Sequence, residues 1–327
     1  MRWLFLFSAL LLSGPALADP TEGLVWTWDE DTPHRWFVDN EVQMASYLWL
    51  MADRNKEARL VAFRVQSILD CDDIEPYGRR QVEMTCTIEA IALMGATLRG
   101  DRGLMQPILE EVEEKLTGAT LGVRMRHDGR ITNIALRGVD RSERRRSRTH
   151  EALRLILSRS LAGFDLQLPR GGETSDPAWP QRESLLLHAP THAGSQGAAE
   201  IAHLVREVRE DQVILETAGR ALISPGTDSR ARNFHDTRLD AVAVFDTGLG
   251  LMRERVWNAV GTPTASSAMA VGGRGIEYIQ RGRILYLGDG AEVPEFEETA
   301  EVPLPDGDAD SVLHVWTPWS AGPPRGR

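Results

Sequence analysis

The chain has 327 residues, 37 of them basic and 48 acidic, for a formal charge of −11. That balance excludes general nucleic-acid binding, which needs positive charge against phosphate. Only Lys56 and Lys115 are lysines. The arginine bias fits a GC-rich bacterial genome better than a dedicated phosphate site.

Arg2 precedes an uncharged apolar run over 3–12 (WLFLFSALLL), then Ser13, Gly14 and Pro15, and the small-x-small series Ala16-Leu17-Ala18. This is the pattern of a signal peptide cleaved after residue 18. The run is shorter than the ~20 residues a membrane helix needs. Neither cysteine lies near the cleavage site, so the usual thiol for lipid attachment is missing there, and no later segment is long and apolar enough to span a bilayer. Residues 1–18 are therefore assigned as signal, 19–290 as the folded domain and 291–327 as a mostly flexible tail. The expected product is exported and soluble, periplasmic or extracellular, without Arg2 and so with a charge of −12. A division of the domain at 168–180 is the alternative.

Trp26, Trp28 and Trp36 crowd the mature N-terminal region, with Trp49 beyond. Residues 26 and 28 share a side if extended. They either line a groove for an apolar ligand or plug one end of a core, the commoner use of large aromatics. Next come the two cysteines, Cys71 and Cys86. Export allows a disulfide between them, and two cysteines leave one intramolecular pairing. Apolar residues fall on odd positions before Cys71 and on even positions after the turn at 72–80. With Cys71 facing Cys86, Leu69 meets Ile88, Val65 meets Ala92 and Phe63 meets Met94. A one-residue slip would set apolar against polar.

The spacing of Ile108, Leu109, Val112 and Leu116 predicts a helix over 107–116, with Gly118 beyond it. Asp128-Gly129 is a strong hairpin signal. It sets Leu121 against Leu136, Val123 against Ile134 and Met125 against Thr132. A second helix is predicted over 142–162, closed by Gly163. Its start carries Arg141, Arg144, Arg145, Arg146 and Arg148. Arg144, Arg145 and Arg146 are candidates for contact with an anionic partner; pairing with Glu143 and Glu151 is the plainer account.

Segments 168–180, 190–197 and 225–236 read as loops. Strand pairs are expected at 201–208 with 212–218, though the first could be helical, and at 241–245 with 251–257. Another is expected at 276–280 with 283–287, turning at Arg281-Gly282. These connections are short, so the sheet is antiparallel. The expected fold is α+β: a curved, mainly antiparallel sheet built from hairpins, with two main helices on one face.

No residue set points to a reaction. His188, His192 and His203 lack a metalloprotease pattern. Asp306, Asp308 and Asp310 begin like a calcium loop, but Ser311 and Thr317 stand where Gly and Glu are required. Ser195 has Ala193 where a nucleophile elbow needs glycine, and His235-Asp236 could complete a triad only through the fold. Gly272, Gly273 and Gly275 precede a hairpin rather than a phosphate-cradling helix. No catalytic residue, metal or cofactor is expected. The leading reading is a non-catalytic envelope protein that binds or carries an apolar or amphipathic ligand, or contacts another envelope component. The alternatives are a secreted hydrolase with a dispersed site, and an interaction module docking through 141–148.

Overall fold

In the computed structural model, residues 23–28, 32, 34–48, 57–97, 102–137, 161, 163–169, 178–181, 196–223, 235–263 and 274–288 are described. They form eleven strands and one helix: β1 (His34–Leu48), β2 (Glu57–Pro76), β3 (Gln81–Thr97), α1 (Arg102–Leu116), β4 (Thr120–Arg126), β5 (Ile131–Arg137), β6 (Ala178–Gln181), β7 (Gln196–Arg209), β8 (Gln212–Ile223), β9 (His235–Asp246), β10 (Leu251–Pro263) and β11 (Arg274–Tyr286). All eleven join one sheet in the order β5-β4-β3-β2-β1-β11-β10-β9-β8-β7-β6. It is two antiparallel meanders, β1 to β5 and β6 to β11, joined where the first strand pairs with the last.

The expected α+β class is thereby corrected to an open, almost wholly antiparallel sheet. The short apolar windows read from the sequence are pieces of much longer strands; β2 alone runs for 20 residues. Of the expected helix at 142–162, only Leu161 lies among the described residues. The candidates Arg144, Arg145 and Arg146 lie outside them, as do His188, His192, Ser195 and the acidic tail.

One face of the sheet is covered and apolar along nearly its whole width. Val38 and Val42 of β1, Val65 and Leu69 of β2, and Leu121 and Val123 of β4 are buried there. Phe245 and Leu239 of β9 and Ala259 of β10 continue the face on the other side. Helix α1 packs Leu109, Val112 and Leu116 into the same core. It begins five residues before the predicted start and ends at Leu116, two residues before Gly118, whose φ of 74° is the left-handed conformation of a helix terminator. The opposite face carries ion pairs such as Arg64–Asp39 and Arg283–Glu254. It also has a small apolar cluster of Phe37, Ile68 and Leu287.

Cys71 and Cys86 face each other and are disulfide-bonded. The predicted register holds through Leu69 and Ile88, then slips at a bulge, so Val65 meets Leu93 and Phe63 meets Gly95. An extra residue on β3 turns Ile91 and Leu93 inward in place of Ala92 and Met94. A similar irregularity sets Met125 against Ile131 instead of Thr132, below the expected pairs Leu121–Leu136 and Val123–Ile134.

The turn expected at Arg281-Gly282 is absent. β11 runs straight through, with Gly282 opposite Asn40 on one side and Trp257 on the other. A Cβ there would lie 2.0 Å from the Trp257 ring. This glycine provides room for an indole, not a reversal of the chain. Gly282→Ala is expected to cost about 1–3 kcal/mol by overpacking. Urea denaturation of the variant checks it; an unchanged midpoint would contradict the packing.

Candidate ligand-binding face

The middle of the covered face is crossed by the irregular segment 163–169. Its backbone carbonyls take hydrogen bonds from three buried side chains. Arg255 Nη1 donates to Gly163 O at 3.0 Å, Trp26 Nε1 to Leu166 O at 3.2 Å and Trp179 Nε1 to Gln167 O at 2.8 Å. Leu168 N donates to Asp128 O at 2.8 Å. Phe164, Leu166 and Leu168 are buried beneath it. An unsheeted backbone crossing a core must find donors elsewhere, and here Arg255 of β10, Trp179 of β6 and Trp26 of the segment 23–28 supply them.

Gly163 was expected as a left-handed helix cap. Its φ lies outside that range, and a Cβ would come 2.4 Å from Ile284 and 2.7 Å from Trp257. It is small because Trp257 lies between it and Gly282. Segment 168–180, read as a loop, ends in β6, whose Trp179 is buried against His203. Strand β7, for which a helix was an alternative, pairs with β8 over most of its length.

The N-terminal tryptophans converge. Trp26 and Trp28 stack 5.4 Å apart with planes 3° from parallel. Trp26 meets Phe245 edge-on, Trp28 meets Trp36, and Trp36 meets Phe164 edge-on at 5.2 Å. Trp26 and Trp36 are buried and Trp28 is half-buried. The three therefore join the end of the covered face to the crossing segment.

Beside them lies a polar group that the sequence reading did not single out. His203 Nε2 is 2.6 Å from Gln181 Oε1, and His203 Nδ1 is 2.8 Å from Thr217 Oγ1. Gln181 Nε2 donates onward to Asp165 Oδ2 at 3.4 Å. With the Gln181 oxygen as acceptor, His203 carries its proton on Nε2 and Nδ1 accepts from the Thr217 hydroxyl. Burial, and then the nearby positive charge of Arg255, push the imidazole pKa down to about 3. A hydroxyl beside a histidine has the outline of a nucleophile and its base. An imidazole so resistant to protonation is a poor general base at neutral pH, and no carboxylate contacts its other nitrogen. Both ring nitrogens are hydrogen-bonded, which leaves neither free to ligate a metal. No group of three or more potential ligands occurs among the described residues.

Arg255 is fully buried in β10, between Ala243 of β9 and Ile284 of β11. Burial lowers its pKa to about 10, against the favourable charge of Asp165. Its Nε and Nη2 have no hydrogen-bond partner. A buried guanidinium costs several kcal/mol unless its donors are met. The signal for it was present in the sequence: positions 255, 257 and 259 alternate inward, and Arg255 stands where the pattern wants an apolar residue.

A pocket of ≈ 540 Å³ adjoins the tryptophans, lined by Thr32, by His34, which stacks on Trp36, by Cys71 and by the acidic residues Asp70, Asp72, Asp73 and Glu75. Desolvation, then Glu89 and Asp72, raise the Asp70 pKa. No described helix is long and apolar enough to cross a membrane.

No protein family and no curated protein matches the chain by sequence. Three solved structures are loosely similar. One concerns lipid–protein interactions in lipovitellin, with a TM-score of 0.45, 9% identity and 83% of this chain covered. This chain spans only 26% of that one. DynF from the dynemicin biosynthesis pathway of Micromonospora chersina gives a TM-score of 0.19 at 6% identity, covering 80% of this chain and 84% of that one. An outer membrane channel from Pseudomonas putida F1 gives 0.26 at 8% identity, covering 77% and 95%. Likeness at this level assigns no function to the chain.

Proposed function

We propose that this protein is an exported, non-catalytic binding or carrier protein for an amphipathic molecule, held on the covered face of its sheet. The observation that carries this reading is the composition of that face. It is mainly apolar across two meanders, with buried polar side chains such as Asn40, Ser67, Gln280 and His203 among them, and it keeps one fully buried cation whose Nε and Nη2 have no acceptor. A face selected only for packing gains nothing from such a group, since replacing buried charge by apolar side chains is often stabilising. Departures from local consistency of this kind concentrate where proteins bind. Export is supported by the leader pattern, and the Cys71–Cys86 bond suits an oxidising compartment.

The test is chemical. Protein purified without detergent is denatured in organic solvent, and the extract is examined by mass spectrometry. An amphipathic compound near one equivalent per chain is the expected result. A clean extract from repeated preparations, with no uptake of 1-N-phenylnaphthylamine, contradicts the carrier reading.

A further inference from the structure

We infer that Arg255 is a carboxylate-binding residue, which seats the acidic head of the amphipathic ligand beneath the segment 163–169. The inference rests on the carrier reading above and specifies its ligand class.

A guanidinium presents two parallel N–H bonds along its Nε–Nη2 edge, spaced to meet both oxygens of one carboxylate. This protein uses that edge repeatedly. Arg64 donates through Nε and Nη2 to the two oxygens of Asp39, at 2.8 and 2.6 Å. Arg220 does the same to Asp236, at 2.8 and 2.6 Å. In Arg255, Nη1 alone is engaged, by Gly163 O, while the Nε–Nη2 edge has no acceptor. Asp165 acts on Arg255 through its charge, yet it supplies no hydrogen bond to either atom.

The surroundings select the class of ligand. Arg255 projects from an otherwise apolar stretch of β10, beside Trp257 and opposite Ile284. A ligand reaching it needs an apolar body and a single planar acidic group, as in a fatty acid. Gly163 O would remain on Nη1, so the crossing segment need not release the arginine for the carboxylate to bind.

The experiment compares laurate with 1-dodecanol, which has the same chain without the charge, as competitors of 1-N-phenylnaphthylamine on the full mature chain at pH 8. Laurate is expected to bind about tenfold more tightly or better, the worth of hydrogen bonds to a charged group. Arg255→Met is expected to abolish that preference, so that laurate and dodecanol bind alike, with a lower melting temperature because Gly163 O loses its donor. Should Arg255→Met fail to fold, Arg255→Lys decides. It keeps the charge and loses the two-donor edge, so the preference for laurate must fall. Equal binding of laurate and dodecanol to the unaltered protein overturns the inference and leaves an apolar carrier. An unchanged preference in either variant also overturns it. Failure of laurate, dodecanol and 1-N-phenylnaphthylamine alike rejects the carrier reading itself.

Discussion

Lowering the pH from 6.5 to 5 is expected to destabilise this protein by about 2 kcal/mol through His203 alone. The folded-state pKa of His203 is depressed to about 3, against an ordinary value of 6.5. The neutral imidazole is therefore the folded form. Its contribution is fully present above pH 6.5 and is lost as the pH falls from there toward 3, at up to about 1.4 kcal/mol per unit. The physical cause is enclosure. The ring has no exposed surface, its nitrogens are committed to Gln181 and Thr217, and Arg255 repels an added proton. Glu41 works with the opposite sign, because burial raises its carboxyl pKa. The comparison must therefore be between proteins. His203→Gln, which cannot titrate, should show a shallower fall in urea-derived stability across this window. Parallel curves for the two proteins would refute the assignment.

Removing the disulfide is the other large effect. Cys71 and Cys86 are 15 residues apart, and a loop of that size implies about 3 kcal/mol of stabilisation, chiefly by restricting the unfolded chain. Both cysteines are buried in the core beneath the covered face. Alanine at both positions avoids adding buried hydroxyls, so Cys71→Ala with Cys86→Ala isolates the cross-link better than serine would. The unaltered protein in reductant should lose a similar amount. A loss below about 1 kcal/mol in both experiments would mean the strands β2 and β3 are already held together in the unfolded ensemble.

How much of this was legible in the sequence depends on the range of the interaction. The Cys71–Cys86 pairing was readable because hairpin register propagates locally, and it failed at the bulge after Leu69, which no alternation pattern announces. The β9–β10 pair was readable for the same reason. Strand β1 was not. Its alternation is broken, with Asn40 on the covered face and Phe37 on the other, and its neighbour β11 lies at the far end of the chain. Gly282 was read as a turn because glycine commonly reverses a chain. Its true constraint is the Trp257 ring from another strand, which only the fold brings there. Those two errors made the sheet look like a set of short hairpins and left room for helices. The site suffered similarly. Trp26, Trp28 and Trp36 stood out as a cluster of one residue type, whereas Asp165, Gln181, His203 and Thr217 meet from four separate segments. Arg255 alone could have been found, as a charge on an inward-facing position.

The central claim is that the covered face of the sheet receives a ligand. Hydrogen–deuterium exchange with and without saturating laurate tests it most directly, because exchange reports both binding and place. Bound laurate is expected to slow exchange in 163–169 and in β10 and β11 around Arg255, with β4 and β5 at the far edge of the sheet unaltered. Protection confined to β5, to the exposed tip of β7 and β8, or to no segment at all would contradict it.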